Sequence, residues 1–519
     1  MNDSEGSDTV ARATDSAPRI FGPNDLGNAQ RLLDRRMQDL RYVPEWGRWL
    51  VWDGKRWQRD KLGRVVEYAK DVVLHIHEEA LAAPNSEMQT KLLQWSQRSQ
   101  SLYSIKAMIK LAETTLALYA DRLDANPSLL TVENGTLDLN TGELRPHKRG
   151  DRITKMAPVA YDAKADCPTW EAFLKRIMDG NGELIRFLQR AIGYSLTGDV
   201  SEQALFFLYG TGANGKTTFL NTVLELLGDY GKQAAPDLLV VQRGESHPTG
   251  IADLVGTRFA ASVEVEEGKR LAETLVKQLT GGDRVKARFM REDFFEFMPT
   301  HKIFLAANHK PVIRGTDHAI WRRIRMIPFA VTFLPEEQDR TLAAKLRTEL
   351  TGILAWAVRG CLDWRRLGLN PPADVTEATE TYREEMDQLG GFLGDCCIMG
   401  STAKVAKKDL YETYESWCKD AGDEPLPKRI FGTRLTGRGV GDGRTGQVRF
   451  WVGIRLRDGP STVTHVTDDD IESGVGPVDP PIGQDDEMSV ILRHTSQPRT
   501  PASSEAGIGA GQIPSSEGT

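Results

Sequence analysis

The chain has 519 residues, long enough for two to four domains, and its 40% hydrophobic and 27% charged composition is that of a globular protein, not a disordered or fibrous one. No apolar stretch reaches the length a bilayer requires, and the polar start MNDSEGSDTVARATDSAPR lacks the basic end and apolar core of a leader, so a cytoplasmic protein with no membrane partner is expected. The formal charge of −7 excludes little: ten acidic and two basic residues fall in 459–519, leaving the rest near neutral and open to a nucleic-acid partner.

Residues 1–20 and 458–519 are rich in Ser, Gly, Pro, Asp and Thr without periodicity and read as disordered tails. Residues 21–165 read as a mixed α+β N-terminal domain. There, NDLGNAQRLLDRRMQDL sets a capping Asn ahead of helical spacing. WGRWLVWDGKRWQRD reads as a hairpin with Asp53-Gly54 as a two-residue turn. Trp46, Trp49, Trp52 and Trp57 offer a base-stacking surface, but a small aromatic core is the simpler expectation. Helical segments follow to about 123, and ENGTLDLNTGELRPH reads as a second hairpin turning at Asn-Thr-Gly. His75 and His77, two apart on a helix, point in different directions and are not expected to bind metal. The five cysteines (Cys167, Cys361, Cys396, Cys397, Cys418) show no C-x-x-C spacing, which argues for reduced thiols and against a zinc ribbon or disulfide framework.

From 166 to about 355 short apolar strands alternate with helices, the pattern of a parallel α/β sheet. In LFFLYGTGANGKTTFL an apolar strand (204–209) precedes Gly210, Thr211, Gly212, Ala213, Asn214, Gly215, Lys216, Thr217 and Thr218, a full match to G-x-x-x-x-G-K-[ST]. The next segment places Leu220, Val223, Leu224 and Leu227 on one side of a helix. Such a strand, loop and helix offers backbone amides to phosphates. Lys216 suits the β- and γ-phosphates and Thr217 suits Mg²⁺, so ATP and Mg²⁺ are the expected ligands.

TRFAASVEVEEG runs an apolar strand into acid, and Glu264 and Glu266 share a face of an extended strand. Glu264 is assigned to Mg²⁺ and the attacking water, Glu266 to a partner or back-up role. Away from a phosphate loop the same residues would be a solvated strand end. HKIFLAANHKP ends a third strand in Asn308, whose amide can orient water or touch a γ-phosphate. In AIWRRIRMIPF, Arg322, Arg323 and Arg325 are either a surface basic cluster or arginines that reach a neighbouring subunit's nucleotide.

Beyond a helical connector (356–390), residues 391–457 read as a compact block. KVAKKDLYETYESWCKDAG is an amphipathic helix, PLPKRIFGTRLTGRG a shorter basic helix, and VGDGRTGQVRFWVGIRLR alternates as a hairpin: the order of a winged helix. Residues 425–457 carry eight Lys or Arg against the single acid Asp442. A charge run is ordinarily a solvated face, but here the second helix and the wing are both basic. Lys428, Arg429, Arg434 and Arg449 are therefore candidate DNA contacts.

The compact order of phosphate loop, acidic strand, basic hairpin, Asn-ended strand and arginine resembles the superfamily 3 helicases. It is most similar to the primase–helicase group of phages, plasmids and poxviruses. The matching segments are YGTGANGKTTF, SVEVEEGKRLAETLVKQLTGGDRVKARFMREDFFEF, KIFLAANHKPVIRGTD and WRRIRMIPF, with LRYVPEWGRWLVWDG and ENGTLDLNTGEL upstream, over roughly 25–455. The expected fold is α/β: a P-loop (AAA+-like) ATPase at 166–355 with a mixed α+β N-terminal domain and a C-terminal winged helix.

The resemblance implies an ATP-driven replicative DNA helicase, a hexameric homo-oligomer moving 3′→5′ on single-stranded DNA at forked DNA. It would work with a separate primase or polymerase, in the host cytoplasm if phage-encoded. In that group a hairpin before the Asn-ended strand projects basic residues into the channel. VKARFMREDFFEF matches it, with Lys286 and Arg288 on the leading strand and Arg291 at the tip, and its alternation independently reads as a hairpin. Basic residues at this spacing suit a phosphate backbone, although this tip also carries acid. Lys277 and Asp283 match a motif with a coupling role, and family position makes Arg323 the arginine finger, with Arg322 second. No polymerising primase domain is expected before 166, where no paired-aspartate site or zinc cluster is evident. Two other readings are an origin-binding initiator in which ATP switches assembly, and a DNA-packaging ATPase, which would call for nuclease-like acid clusters that 356–457 lacks.

Overall fold

The computed structural model describes residues 19–241, 249–263, 268–290, 293–313, 318–420, 424–446 and 448–457, so the tails read as disordered lie almost wholly outside the described residues. The first helix, Asp25–Arg36, starts where expected because the Asn24 side chain accepts from the Gly27 amide at 2.7 Å. Strands β1 (Leu40–Val43), β2 (Arg48–Trp52) and β3 (Trp57–Arg59) form an antiparallel meander. The β2–β3 turn corrects the two-residue expectation. It spans Asp53–Arg56 because the Asp53 carboxylate accepts from both the Lys55 and Arg56 amides at 2.7 Å and so folds a four-residue loop.

The tryptophans pack as a core. Trp57 is buried, while Arg59 and Arg149 cap the half-buried Trp46 and Trp52 with their guanidinium carbons 4.5 and 5.5 Å from the rings. Helices Arg64–Leu74, Ile76–Leu81, Ser86–Ser99 and Leu102–Thr115 follow. Arg31 is buried against Glu79 and also donates to the carbonyls of Phe21 and Gly22, which ties the entry of the chain to this helical layer. Strands β4 (Leu129–Val132), β5 (Gly135–Asp138) and β6 (Glu143–Arg145) form a second meander that includes the expected hairpin.

The centre is a five-stranded, all-parallel sheet. Its strands are β7 (Leu205–Tyr209), β8 (Gly231–Gln233), β9 (Phe259–Val263), β12 (Lys302–Ala307) and β13 (Ile324–Pro328), and a separate hairpin is made of β10 (Val285–Ala287) and β11 (Phe295–Phe297). The sheet order is β13-β7-β12-β9-β8. Its strands read as continuous apolar runs because both faces are covered. Phe206, Leu208, Phe304, Ala306 and Ile327 face a core shared with helices Pro168–Ile177, Gly182–Ser195, Lys216–Leu227 and Leu350–Leu367. Leu205, Phe207, Ile303, Leu305 and Met326 face the opposite core, which is closed by Glu273–Thr280 and Ala373–Glu385.

Two cations are buried beneath the starting ends of β9 and β12. Arg258 donates to the carbonyls of Leu196 and Leu129 at 2.5 and 2.7 Å, and so joins β4 to the sheet. Lys302 donates to the carbonyls of Thr197, Asp199 and Thr300. Burial lowers the pKa of Arg258 and pushes that of Lys302 well down, and carbonyl dipoles stand in for a counter-ion.

The last block has its own core around Leu389, Phe392, Tyr414, Phe431 and Trp451. It contains the two expected helices, Lys407–Asp420 and Lys428–Thr436, and the hairpin of β15 (Gly441–Arg444) and β16 (Arg449–Leu456). It also contains a strand absent from the sequence reading, β14 (Cys397–Ala406), which pairs with β16 and gives the order β14-β16-β15. The first helix therefore starts at Lys407, because Lys404–Ala406 pair with Val452, Trp451 and Phe450. Gly400 and a register shift between Met399 and Lys404 break the alternation that would have revealed this strand. None of the five cysteines is in a disulfide. Among the described residues no helix is long and apolar enough to cross a membrane, and no His, Cys, Asp and Glu side chains cluster as a metal site.

Candidate functional site

The glycine-rich loop leaves the carboxyl end of β7, a central strand, and runs into the helix Lys216–Leu227. Packing requires two of its glycines, and a φ of +114° favours the third, Gly212. Gly215 sits at φ +84° and a β-carbon there would come within 2.6 Å of Ile177 Cγ2, while one on Gly210 would run into the Phe329 carbonyl and the Asn214 side chain. Ala213 holds a left-handed φ of 47°, which is uncommon for a residue with a side chain.

Lys216 is 6% exposed. Its ammonium donates to the Gly210 carbonyl at 2.6 Å and to the Asn308 side-chain oxygen at 3.0 Å. Both acceptors are neutral, and among the described residues no carboxylate pairs with it. Burial accordingly lowers its pKa. A half-desolvated cation with no counter-ion among the described residues, at the head of a 12-residue helix, fits a polyanion. Asn308 lies just past the end of β12, which pairs with β7, so two neighbouring strand ends bring Lys216 and Asn308 together. Thr217 is exposed on the first turn of the helix.

Three contacts from one segment beyond the motif, residues 329–333, complete the loop. The Phe333 amide donates to the Ala213 carbonyl at 2.8 Å, the Asn214 amide group donates to the Phe329 carbonyl at 3.4 Å, and the Thr211 and Thr332 hydroxyls lie 3.4 Å apart. The chain beyond β13 thus straps the loop, and the Arg176 guanidinium carbon stands 4.6 Å over the Phe333 ring. Sequence reasoning missed this strap because it lies more than a hundred positions from the motif and no local pattern marks it.

Glu264, Glu266 and Arg291 lie outside the described residues. Arg322 and Arg323 lie at the far end of the sheet from their own loop. Ile324 pairs with Leu205 and Pro328 with Tyr209, and the Leu205 amide donates to the Arg323 carbonyl, so the length of β7 separates them from it. At about 3.3 Å per residue that is roughly 15 Å. Arg323 is buried and donates to the Thr280 hydroxyl at 3.2 Å and the Ala319 carbonyl at 2.6 Å. Arg322 is exposed and donates to the Gln203 side chain at 2.6 Å.

The β10–β11 pair is the expected hairpin, with Lys286 opposite Glu296. Lys286 is exposed on β10 and Arg288 lies just beyond its end. In the last block Lys428, Arg429 and Arg449 are exposed. Arg434 is half-buried, and burial lowers its pKa.

The chain matches three family models: D5 N terminal like over 29–179, a family of unknown function over 208–323, and Poxvirus D5 protein-like over 384–437. It is 28% identical over 322 residues to "Putative helicase L207/L206" of Acanthamoeba polyphaga mimivirus, covering 57% of this chain and 33% of that protein. It is 27% identical to "Putative helicase 022R" of Frog virus 3, covering 58% and 39%. It is 28% identical to "Putative primase C962R" of African swine fever virus (isolate Tick/Malawi/Lil 20-1/1983), covering 41% and 23%. The chain thus spans about a third of the length of the curated relatives it matches. The apo structure of the NrS-1 C-terminal region overlays 83% of this chain and 99% of its own, at 9% identity and a TM-score of 0.45. The chain thus carries segments matching the D5 N terminal like and Poxvirus D5 protein-like models and is similar to proteins named as putative helicases and primases in large DNA viruses.

Proposed function

We propose that this chain is an ATP-driven replicative helicase of the superfamily 3 type, in which Mg²⁺-dependent hydrolysis moves single-stranded DNA past a basic hairpin. The observation that carries the reading is the buried Lys216 ammonium, held by two neutral acceptors at the head of a helix behind a loop with no room for a β-carbon at Gly210 or Gly215. Lys216 would leave the Gly210 carbonyl for the β- and γ-phosphates, and the loop amides would hold the remaining phosphate oxygens. Thr217 would hold Mg²⁺ together with Glu264. When bound, the ion neutralises charge that develops on the phosphates. Asn308, already touching Lys216, would hold the attacking water or a γ-phosphate oxygen. Arg322 is exposed and remote from its own loop, so it suits the nucleotide of the next subunit in a hexameric ring better than the buried Arg323 does. The last block, read as a winged helix, would grip the fork through Lys428, Arg429 and Arg449. Movement 3′→5′ and a separate primase or polymerase partner complete the proposal.

The test is phosphate release by the purified protein with and without single-stranded DNA, alongside unwinding of a fork. Hydrolysis raised severalfold by single strands and coupled to unwinding supports the motor. Hydrolysis indifferent to single strands, with ATP-dependent assembly on duplex DNA, would favour the initiator reading instead. Asn308→Ala is expected to bind nucleotide within a few-fold of wild type and to hydrolyse it about a hundredfold more slowly, since a lost water- or oxyanion-orienting group costs about 2.7–4 kcal/mol at the transition state. An equal loss in binding and turnover would make Asn308 a mere support for Lys216.

A further inference from the structure

Phe294, immediately before β11, is 51% exposed and belongs to none of the apolar cores among the described residues. Its neighbours on the hairpin turn the other way. Phe295 stacks on Phe289 at 5.3 Å, and Phe297 is buried in the core beneath the sheet. Alternation along an extended strand therefore puts Phe294 on the outer face. Lys286 and Arg288, two apart, lie over this one ring, with the Lys286 ammonium 4.9 Å and the Arg288 guanidinium carbon 4.6 Å from its centroid. Among the described residues neither cation is paired with a carboxylate.

An exposed phenylalanine under two cations that form no ion pair among the described residues, although Glu296 stands opposite Lys286 on the same face, is costly to keep for stability alone: it leaves apolar surface in water, and exposed cation–π contacts are each worth only about 0.5–1 kcal/mol. The same three groups have the chemistry of a single-strand site. Aromatic rings stack on unpaired bases regardless of sequence, and Lys and Arg beside them take the flanking phosphates.

We infer that Phe294 stacks on a base of single-stranded DNA while Lys286 and Arg288 leave its ring for the phosphates on either side of that base. The ring thereby reports that a nucleotide, and not only a charged backbone, occupies the hairpin. This rests on the hairpin reading of the proposed function and adds a base-contacting residue to it.

The experiment uses the full chain and two labelled ligands of equal length, oligothymidylate and an abasic deoxyribose-phosphate oligomer. Wild type is expected to prefer oligothymidylate. Phe294→Ala is expected to weaken oligothymidylate binding about five- to hundredfold and to leave the abasic ligand nearly unchanged. Phe294→Leu, which keeps apolar cover but cannot stack, should behave like the alanine variant, and Phe294→Tyr like wild type. Lys286→Ala should reduce the salt slope by about one for both ligands, whereas Phe294→Ala should leave the slope intact. Equal weakening of both ligands by Phe294→Ala, with circular dichroism unchanged, overturns the inference and makes the ring a prop for the cations. Salt slopes unmoved by Lys286→Ala and Arg288→Ala overturn the hairpin reading itself, and the inference with it.

Discussion

Replacing Lys216 with alanine is expected to reduce ATP hydrolysis by a hundredfold or more, about 2.7 kcal/mol of transition-state stabilisation, while leaving the unliganded fold at least as stable. The two halves of this expectation share a cause. In the unliganded chain the Lys216 ammonium is desolvated, which depresses its pKa, and among the described residues it meets only the Gly210 carbonyl and the Asn308 side chain. Holding the cation there is unfavourable until a polyanion arrives, so its removal costs the empty protein little. With a triphosphate bound, that charge would be the group that offsets the γ-phosphate's growing charge, and nothing else among the described loop residues carries one. Phosphate release and nucleotide affinity, measured beside a thermal melt without nucleotide, separate these effects. A variant that melts far below wild type would assign Lys216 a structural role, and turnover within tenfold of wild type would remove it from the chemistry.

The second large effect concerns the scaffold behind the loop. Helices Gly182–Ser195 and Leu350–Leu367 cross with backbone against backbone. A β-carbon on Gly193 would fall inside the Cys361 amide and the Gly360 carbonyl carbon, and one on Gly360 would fall inside the Gln189 carbonyl. Backbone atoms cannot rotate away as a side chain can, so Gly193→Val must push the helices apart. Both helices pack into the core that includes Phe219 and Leu220 of the helix begun by Lys216. A cost of about 3 kcal/mol is expected, seen as a fall of roughly 10 °C in the melting of the unit that contains the sheet. Gly150→Ala is the control, because a β-carbon there meets open space. A Gly193→Val protein that melts with wild type would mean that the two helices are not held at this distance in solution.

How far the molecule could be read from its sequence depended on the range of the interaction. Where the signal is local, the reading held: Asn24 caps its helix, the 204–209 run is a strand, and the 285–297 alternation is a hairpin, since caps, apolar periodicity and turns act within a few residues. Local chemistry also misled. Asp53-Gly54 has the signature of a two-residue turn, but the Asp53 carboxylate had two amides to satisfy and made a longer one. Strand β14 was hidden by Gly400 and a register shift, and only its pairing with β16 defines it.

The site divides in the same way. The sequence by itself determined the loop, its lysine and the helix that follows, because a glycine-rich turn between a strand and a helix is a contiguous piece of backbone whose glycines and lysine sit at fixed spacing. Only the tertiary structure decided that Asn308 touches Lys216, that the strap from Phe329 to Phe333 closes over the loop, and that Arg322 faces solvent while Arg323 turns inward. It also decided that Phe294 carries two cations on an outward face. Each of these depends on which strands become neighbours and in what register. Pairing of that kind is set by burial of the whole sheet, a sum over distant residues that no short stretch of sequence contains.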